Sequence, residues 1–321
     1  MAGAPLAASR LTSARGVLAA WTMLLAAGLS WGATYSLAKI AAMQEGAYPL
    51  GIALWQGVFG MVILSLVETT RRRRLPFDYV HLRFYLICGL LGTAIPSTLY
   101  FYAAPHLPAG VLAITLGLTP LLTFVGALLF RLDYYAPGRL LGVALGVAAM
   151  LMIALPQTSL PERGAAIWVA VALAAALSYA VENIIIARLR PPRTQSLTLL
   201  WGMMLVATLA LLPVVLATES FVPFAWPWGT LEWTIFGMAA INVLSYWVFV
   251  YLVTASGPIF ASQMAYVIIV SGLLWGLLLF AERHSNWIWG AFALMLVGLA
   301  LVAPRKRRSA DIAQEPEKAA G

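Results

Sequence analysis

Charge is what this chain has least of. Among its 321 residues only 10% are Asp, Glu, Lys or Arg, while 62% are hydrophobic, and the mean hydropathy is +0.88. A soluble globular domain carries about 25% charged and roughly 45–50% apolar residues. One core could not bury this much apolar surface, so the solvent for much of the chain is lipid. Cysteine is almost absent as well. Cys88 stands alone in an apolar run, which excludes a disulfide framework or a cysteine metal site. The three histidines, His81, His106 and His284, fall near the ends of apolar runs with no ligand spacing. No HExxH, GxSxG, P-loop or CxxC pattern occurs. These gaps set aside an enzyme and a self-powered ATP pump, and no metal or other cofactor is expected. A net charge of +8 would hint at nucleic acid in a soluble protein. Here the basic residues gather between apolar runs, so membrane topology accounts for them and no nucleic-acid partner is expected.

What the chain has in quantity is long apolar runs. A spanning helix needs about 20 apolar residues. Ten stretches qualify: 17–42, 48–68, 82–103, 108–130, 137–155, 164–187, 196–217, 230–253, 257–281 and 286–303. Turn-forming stretches separate them, among them "PHLPAG" at 105–110, "PQTSLPERG" at 156–164, "RPPR" at 190–193 and "FVPFAWPWG" at 221–229. The run after Arg10 and Arg15 has signal-peptide character as far as Gly28. It continues through Trp31 and Tyr35 to Ala42, long enough to span, and reads as a retained first helix.

Lys and Arg in short loops set orientation. With the N-terminus inside, the inner segments hold seventeen of the twenty Lys and Arg, including Arg71 to Arg74, Arg131, Arg139, Arg188, Arg190, Arg193 and the basic run Arg305 to Arg308. The outer segments hold Arg163 and Arg283, and Lys39 lies near the outer end of the first span. Nine or eleven spans would put one terminus on the wrong side. The reading is a multi-pass protein of a bacterial-type cytoplasmic membrane with both termini in the cytoplasm. Trp226, Trp228, Trp287 and Trp289 fall near the outer interface, as an aromatic belt would.

The spans repeat. "LSW" at 29–31 recurs as "LSY" at 177–179, Tyr102 as Tyr251, and Asp133 as Glu282, all at an offset of 148 or 149. The unit is five spans, and an odd unit turns its copy upside down. The fold class read from this is an all-α integral membrane protein of two inverted five-helix repeats around a central cavity. The divisions are a cytoplasmic segment 1–16, a first repeat 17–155, a second repeat 164–303, and a basic then disordered tail 304–321. Inverted repeats are a signature of secondary transporters.

The residues also carry a resemblance. "LSWGATYSLAK" at 29–39, "AGVLAITLGLTPLLTFVGALLFRLD" at 109–133 with the following "GRLLGVALGVAAMLMI", and "FASQMAYVIIVSGLLWGLLLFAE" at 260–282 resemble EamA-type domains of the drug/metabolite transporter superfamily. The resemblance implies ten helices, alternating access, and export of amino acids or other small metabolites. It implies that the second and seventh helices are peripheral and that the first, third, fourth, sixth, eighth and ninth line the cavity. It also implies a proline in the fourth span and an acid at the start of the fifth, which Pro120 and Asp133 match. Pro120 is thus a hinge candidate. In the second repeat Ile269 replaces the proline, so that helix is not expected to kink there.

An ionisable residue inside a membrane is a functional candidate. Glu182 is the clearest: a protonatable group facing the cavity and a candidate for proton coupling, or else a residue reaching for the inner interface or a loop arginine. Ser178 shares its helix face, and Tyr179 with Asn183 forms the adjacent stripe. The first span offers Ser30, Trp31, Thr34, Tyr35 and, toward the outer mouth, Lys39. The third offers Thr98, Tyr100 and Tyr102. The eighth offers Asn242, Ser245, Tyr246, Trp247 and Tyr251, and the ninth Ser262, Gln263, Tyr266 and Ser271. For each aromatic the alternative is helix packing, and for Asn242 and Gln263 an interhelical hydrogen bond. Asp133 and Glu282 read as helix N-terminal caps. The implied cavity is aromatic and polar but almost uncharged. That excludes a multiply charged phosphate, which calls for Arg or Lys clusters. It suits neutral amino acids, aromatic ones included, with a cationic drug over Trp and Tyr faces as the alternative. A channel would need a carboxylate ring or filter loop, and none is seen. The expected partners are a small-molecule substrate and the bilayer, with a monomer as the working unit.

Overall fold

The computed structural model describes residues 14–155, 160, 164–224 and 226–302. The tail 304–321, most of the segment 1–16, and Arg10 and Arg163 lie outside the described residues. All regular structure among the described residues is helical. Ten helices follow in order: α1 (Ala14–Ala42), α2 (Pro49–Thr70), α3 (Tyr79–Ala103), α4, α5 (Pro137–Ala154), α6 (Ala166–Leu189), α7 (Ser196–Ala217), α8 (Thr230–Ser256), α9 and α10 (Asn286–Val302). Two of them are divided: α4a (Ala109–Leu116) runs into α4b (Leu118–Leu129), and α9a (Pro258–Ser262) into α9b (Met264–Phe280). Nine are long and apolar enough to cross a bilayer; α10 is an apolar helix of 17 described residues. Backbone N–H and C=O groups in hydrocarbon need internal partners, and helices supply them.

Helix ends follow local chemistry more closely than hydropathy does. α3 begins at Tyr79, three residues before the apolar run, because the Asp78 carboxylate accepts from the backbone N–H of Val80 and His81. α8 continues to Ser256 and stops at Gly257, whose φ of 90° ends the helix. α4 divides at Gly117. A Cβ there would stand 2.8 Å from Ile269 Cδ1 and 2.9 Å from Met295 Cγ, so only glycine lets α9 and α10 approach so closely. Pro120, three residues on, has no N–H for the Leu116 carbonyl, which weakens the same turn. α9 divides at Gln263 and runs unbroken through Ile269.

The packing obeys an exchange of α1–α5 with α6–α10. α1 packs on α8 and α9b, and its counterpart α6 packs on α3 and α4b. α2 packs on α8, and α7 on α3. α2 pairs with its own counterpart α7 on one side of the bundle, and α5 with α10 on another. The remaining six helices enclose the centre. One membrane face, here the terminal face, is where α1 begins and α10 ends; the other is the distal face. Trp226, Trp287 and Trp289 are exposed at the distal face. Trp228 is instead held among Phe59, Phe224, Trp233 and Phe236.

α1 and α9b pack closely, where lipid offers no hydrophobic drive and small residues allow tight packing. Ser271 Oγ donates to the Gly28 carbonyl at 3.1 Å, and Trp275 Nε1 to the Leu29 carbonyl at 3.0 Å. A Cβ on Gly32 would stand 1.9 Å from Ser271 Oγ and 2.7 Å from the Ile268 carbonyl oxygen. Gly32→Ala is therefore expected to cost about 1–3 kcal/mol, the usual range for overpacking. The readout is the thermal midpoint in detergent. Adding Ser271→Ala should restore only part of the loss, because the Ile268 backbone still stands in the way.

Candidate functional site

Two groupings stand out among the six central helices. The first is at mid-membrane. α3 is not a plain α-helix: Leu90–Ala94 form a π-helical turn. Such turns widen a helix locally and are frequent at functional sites. α6 docks on this turn. Ser178 Oγ donates to the Leu91 carbonyl at 2.7 Å. One turn further along α6, the Glu182 carboxyl lies on Gly92, where a Cβ would meet its atoms at 2.0 Å. Glu182 is 8% exposed and makes no hydrogen bond or ion pair among the described residues. Cys88, Tyr179 and Tyr246 lie close enough to feel its charge. It neither reaches the terminal interface nor meets Arg188, whose guanidinium donates to the Phe130 carbonyl at 2.6 Å.

On the distal side of Glu182, three tyrosines from three helices converge. Tyr35 of α1 and Tyr100 of α3 have ring centroids 6.0 Å apart, and Tyr179 of α6 lies beside both. Tyr35 and Tyr100 are buried and Tyr179 partly so. The Tyr100 hydroxyl is buried without a hydrogen-bond partner. The structure thus brings Tyr35, Tyr100, Ser178, Tyr179, Glu182 and Tyr246 to one region.

Other candidates go elsewhere. Tyr102 is 40% exposed. Two residues after Tyr100, it points to roughly the opposite side of α3, as about 100° per residue requires. Trp247 and Tyr251 stack at 6.3 Å on an exposed flank of α8, away from Tyr246 and Asn242. Ser245 and Ser271 serve as interhelical ties to the Ala27 and Gly28 carbonyls. Thr34 donates back to the Trp31 carbonyl within α1. Ser30 is exposed, and Trp31 packs with the α8–α9 contact around Leu252 and Met264. Thr98 Oγ1 is buried without a partner. Asn183 is exposed on the terminal side of the centre and donates to Thr123 Oγ1 of α4b at 3.3 Å. Gln263 and Tyr266 are partly buried where α9 divides. A shallow cavity of 480 Å³ at the distal face, lined by Gln44, Glu45, Val222, Thr230 and Glu232, touches none of these residues. Among the described residues no three His, Cys, Asp or Glu side chains gather as a metal site would need.

The second grouping lies at the distal face. Glu282 does not cap α10, the helix that follows it. Its carboxylate accepts instead from the backbone N–H of Ala109 at 2.7 Å and Gly110 at 3.3 Å, at the start of α4a. The same carboxylate pairs with Lys39 of α1 at 3.2 Å, with the two side chains 15% and 7% exposed. Lys39 also lies 5.0 Å over the Phe280 ring. The lysine is held in protein rather than reaching freely into the interface. Asp133 does not cap the next helix either: it pairs with Arg139 at 2.7 Å. A further buried acid escaped the sequence reading. Glu68 is fully buried on α2, accepts from Thr198 Oγ1 at 2.6 Å and faces Arg71 at 3.8 Å. Its place three residues before an arginine cluster is the signal that could have found it.

His284 lies beside the distal pair, its Nε2 3.5 Å from Glu282. Burial disfavours its charged form and holds its pKa below the usual value; Glu282 opposes and Lys39 adds to the depression.

Comparison with known proteins agrees with this architecture. The family model described as "EamA-like transporter family" matches twice, over residues 18–155 and 166–303. A solved structure described only as "Crystal structure of protein" superposes with a TM-score of 0.60 at 17% identity, covering 89% of this chain and 99% of that one. At that identity the likeness concerns the fold alone. No curated protein matches.

The depressed pKa of His284 makes distal stability pH-dependent. A histidine whose folded pKa is lowered stabilises the fold above its unfolded value, about 6.5, and the contribution is lost as pH falls below it. The thermal midpoint should therefore drop on acidification from pH 7.5 to 5, and drop less in His284→Gln. Equal drops in both proteins would show that folding leaves the pKa of His284 unshifted.

Proposed function

The chain belongs to the EamA-like transporter family, and from that premise we propose that it exports neutral amino acids, aromatic ones included, by alternating access. The observation that carries the reading is the meeting of Tyr35, Tyr100 and Tyr179 with Glu182 between the two inverted repeats. A zwitterion needs modest polar contacts and an apolar wall. Tyrosine faces supply the wall and stack on aromatic side chains. Among the described residues no Lys or Arg pairs with Glu182. In this reading Asn242, Gln263 and Tyr266 complete the polar lining. Glu182 is the one carboxyl of the centre and the candidate for proton coupling. A carboxyl held beside the substrate path can take a proton in one state and release it in the other. In this reading the terminal face is cytoplasmic and the membrane is the bacterial inner membrane. The positive residues of the short terminal-face loops support that orientation. The monomer is the transporting unit, because both repeats of one chain enclose the centre.

A cationic drug is the second reading, since the same rings attract cations. Counterflow into liposomes loaded with unlabelled amino acids separates the two. Labelled Trp, Phe, Met and Thr should enter and Lys should not. Uptake of none of them by folded protein would remove the amino-acid reading in favour of a cationic drug or another metabolite. Glu182→Gln should flatten the pH profile of transport while leaving the fold intact. Asn183→Ala, at the mouth, should lower the rate without changing that profile. If both variants keep the wild-type rate and pH dependence, Glu182 and Asn183 lie off the transport path.

A further inference from the structure

Duplication predicts that a device at one end of the bundle has a counterpart at the other. At the distal end the device is complete. Lys39 at the end of α1 pairs with Glu282 after α9, and Glu282 holds the first N–H groups of α4a. Gly276 is required, because a Cβ there would stand 2.4 Å from Glu282 Oε2. The contact ties α1, α4 and α9 at one point, and Ala109 to Ile114 beneath it are fully buried or nearly so.

Shifting each part by the repeat offset gives the terminal-end counterpart. Lys39 maps to Arg188 at the end of α6, Glu282 to Asp133 after α4, and the start of α4a to the start of α9a. Each basic residue also lies over a ring at the end of the partner helix, though one residue out of the repeat register: Lys39 over Phe280, and the Arg188 guanidinium 4.8 Å over Phe130. All the parts are present, but they are not joined. Arg188 and Asp133 form no ion pair; Arg188 is exposed and bonds the Phe130 carbonyl. Asp133 is occupied by Arg139, whose own counterpart position in the second repeat is the apolar Ile288. Helix packing has the same asymmetry. α4a packs closely on α9b and α6, while α4b and α9a share at most a grazing contact.

We propose that Lys39–Glu282 and Asp133–Arg188 are the two ends of one duplicated lock, closed in alternation, with Arg139 as the residue that holds Asp133 while the terminal end is open. The structure has the distal end closed. In the opposite state Asp133 exchanges Arg139 for Arg188, and α9a closes on α4b. Arg139 makes the lock unsymmetrical: at the distal end Glu282 has the buried imidazole of His284 beside it, 3.5 Å away, in place of a second guanidinium. This inference rests on the alternating-access reading above.

The test uses full-length protein with Cys88→Ser and spin labels at two pairs of exposed positions. Met43 with Arg283 reports the distal end, and Leu129 with Thr254 the terminal end. Lys39→Gln should lengthen the distal distance and shorten the terminal one. Arg139→Gln should do the same, because it frees Asp133 for Arg188. The shift in population should be about fivefold or more, the size of an ordinary coupling between two states. Arg188→Gln should do the reverse and abolish the terminal-closed population. Lys39→Arg, which keeps the charge, should restore the wild-type distances and shows that the fold survives at this position. The proposal is overturned if Lys39→Gln and Arg139→Gln leave both distances unchanged, or move the two ends in the same direction. The same variants are assayed for counterflow. Distances that switch in a protein that moves no amino acid keep the lock and remove the substrate reading. Fixed distances in a protein that does move amino acids remove the lock and keep the substrate reading.

Discussion

Five spans per repeat is an odd number, and the second copy must therefore face the opposite way. The exchange of α1–α5 with α6–α10 follows from that constraint. It makes α2 meet α7 and α5 meet α10 as self-paired flanks. It places α1 and α6 as the two central helices, each wedged between the third and fourth helices of the other repeat. The mid-membrane tyrosines are then drawn from both copies: Tyr35 and Tyr100 from the first, Tyr179 from the second. A site shared by inverted halves faces either side of the membrane by a rearrangement of the halves alone.

Within lipid, the small polar side chains divide by role. A hydroxyl in hydrocarbon needs an acceptor, and the nearest is a carbonyl on a neighbouring helix. Ser178, Ser245 and Ser271 each take one: on α3, α1 and α1 respectively. The glycines that allow such approach, Gly28, Gly32 and Gly272, lie in the same α1–α9 seam. These serines hold the bundle together and leave little capacity for a ligand. Among the groups left with hydrogen-bonding capacity to spare are Glu182, the Tyr100 hydroxyl and the Thr98 hydroxyl of the central helices.

Much of this was legible in the sequence, and the limits have physical causes. Apolar runs gave ten helices because a bilayer demands a minimum length. The odd repeat and its offset gave the inversion. Ends such as Tyr79 and Ser256 were missed because caps and glycine, not hydropathy, end helices. Among the site residues, Ser178 and Glu182 lie on one face of α6 against the α3 π-turn, as a four-residue spacing requires, while Asn183 turns to Thr123 of α4b. Tyr102, Trp247 and Tyr251 do not join them. Periodicity defines a face but not which neighbour covers it, and adjacent polar aromatics on a helix diverge by about 100° per residue. Asp133 and Glu282 were recognisable as a repeated pair. What Glu282 holds was not, because the N–H groups of Ala109 and Gly110 are 172 or more residues away in the chain.

Glu182 and Glu282 show two ways to keep a carboxyl out of water. Glu282 meets a lysine and the free N–H groups of a helix start, a ready anion site. Its charge is compensated there, so losing the contact would leave both charges without a partner. Glu182 has no such partners. It rests on a glycine in a widened helical turn, with tyrosines on one side and a thiol on another. The π-turn of α3 and the absence of a Cβ at Gly92 leave room for this carboxyl between the helices. The two acids thus divide the work of the bundle. One is held by a lysine and a helix start, and the other rests on a glycine between the two repeats with no ion pair among the described residues.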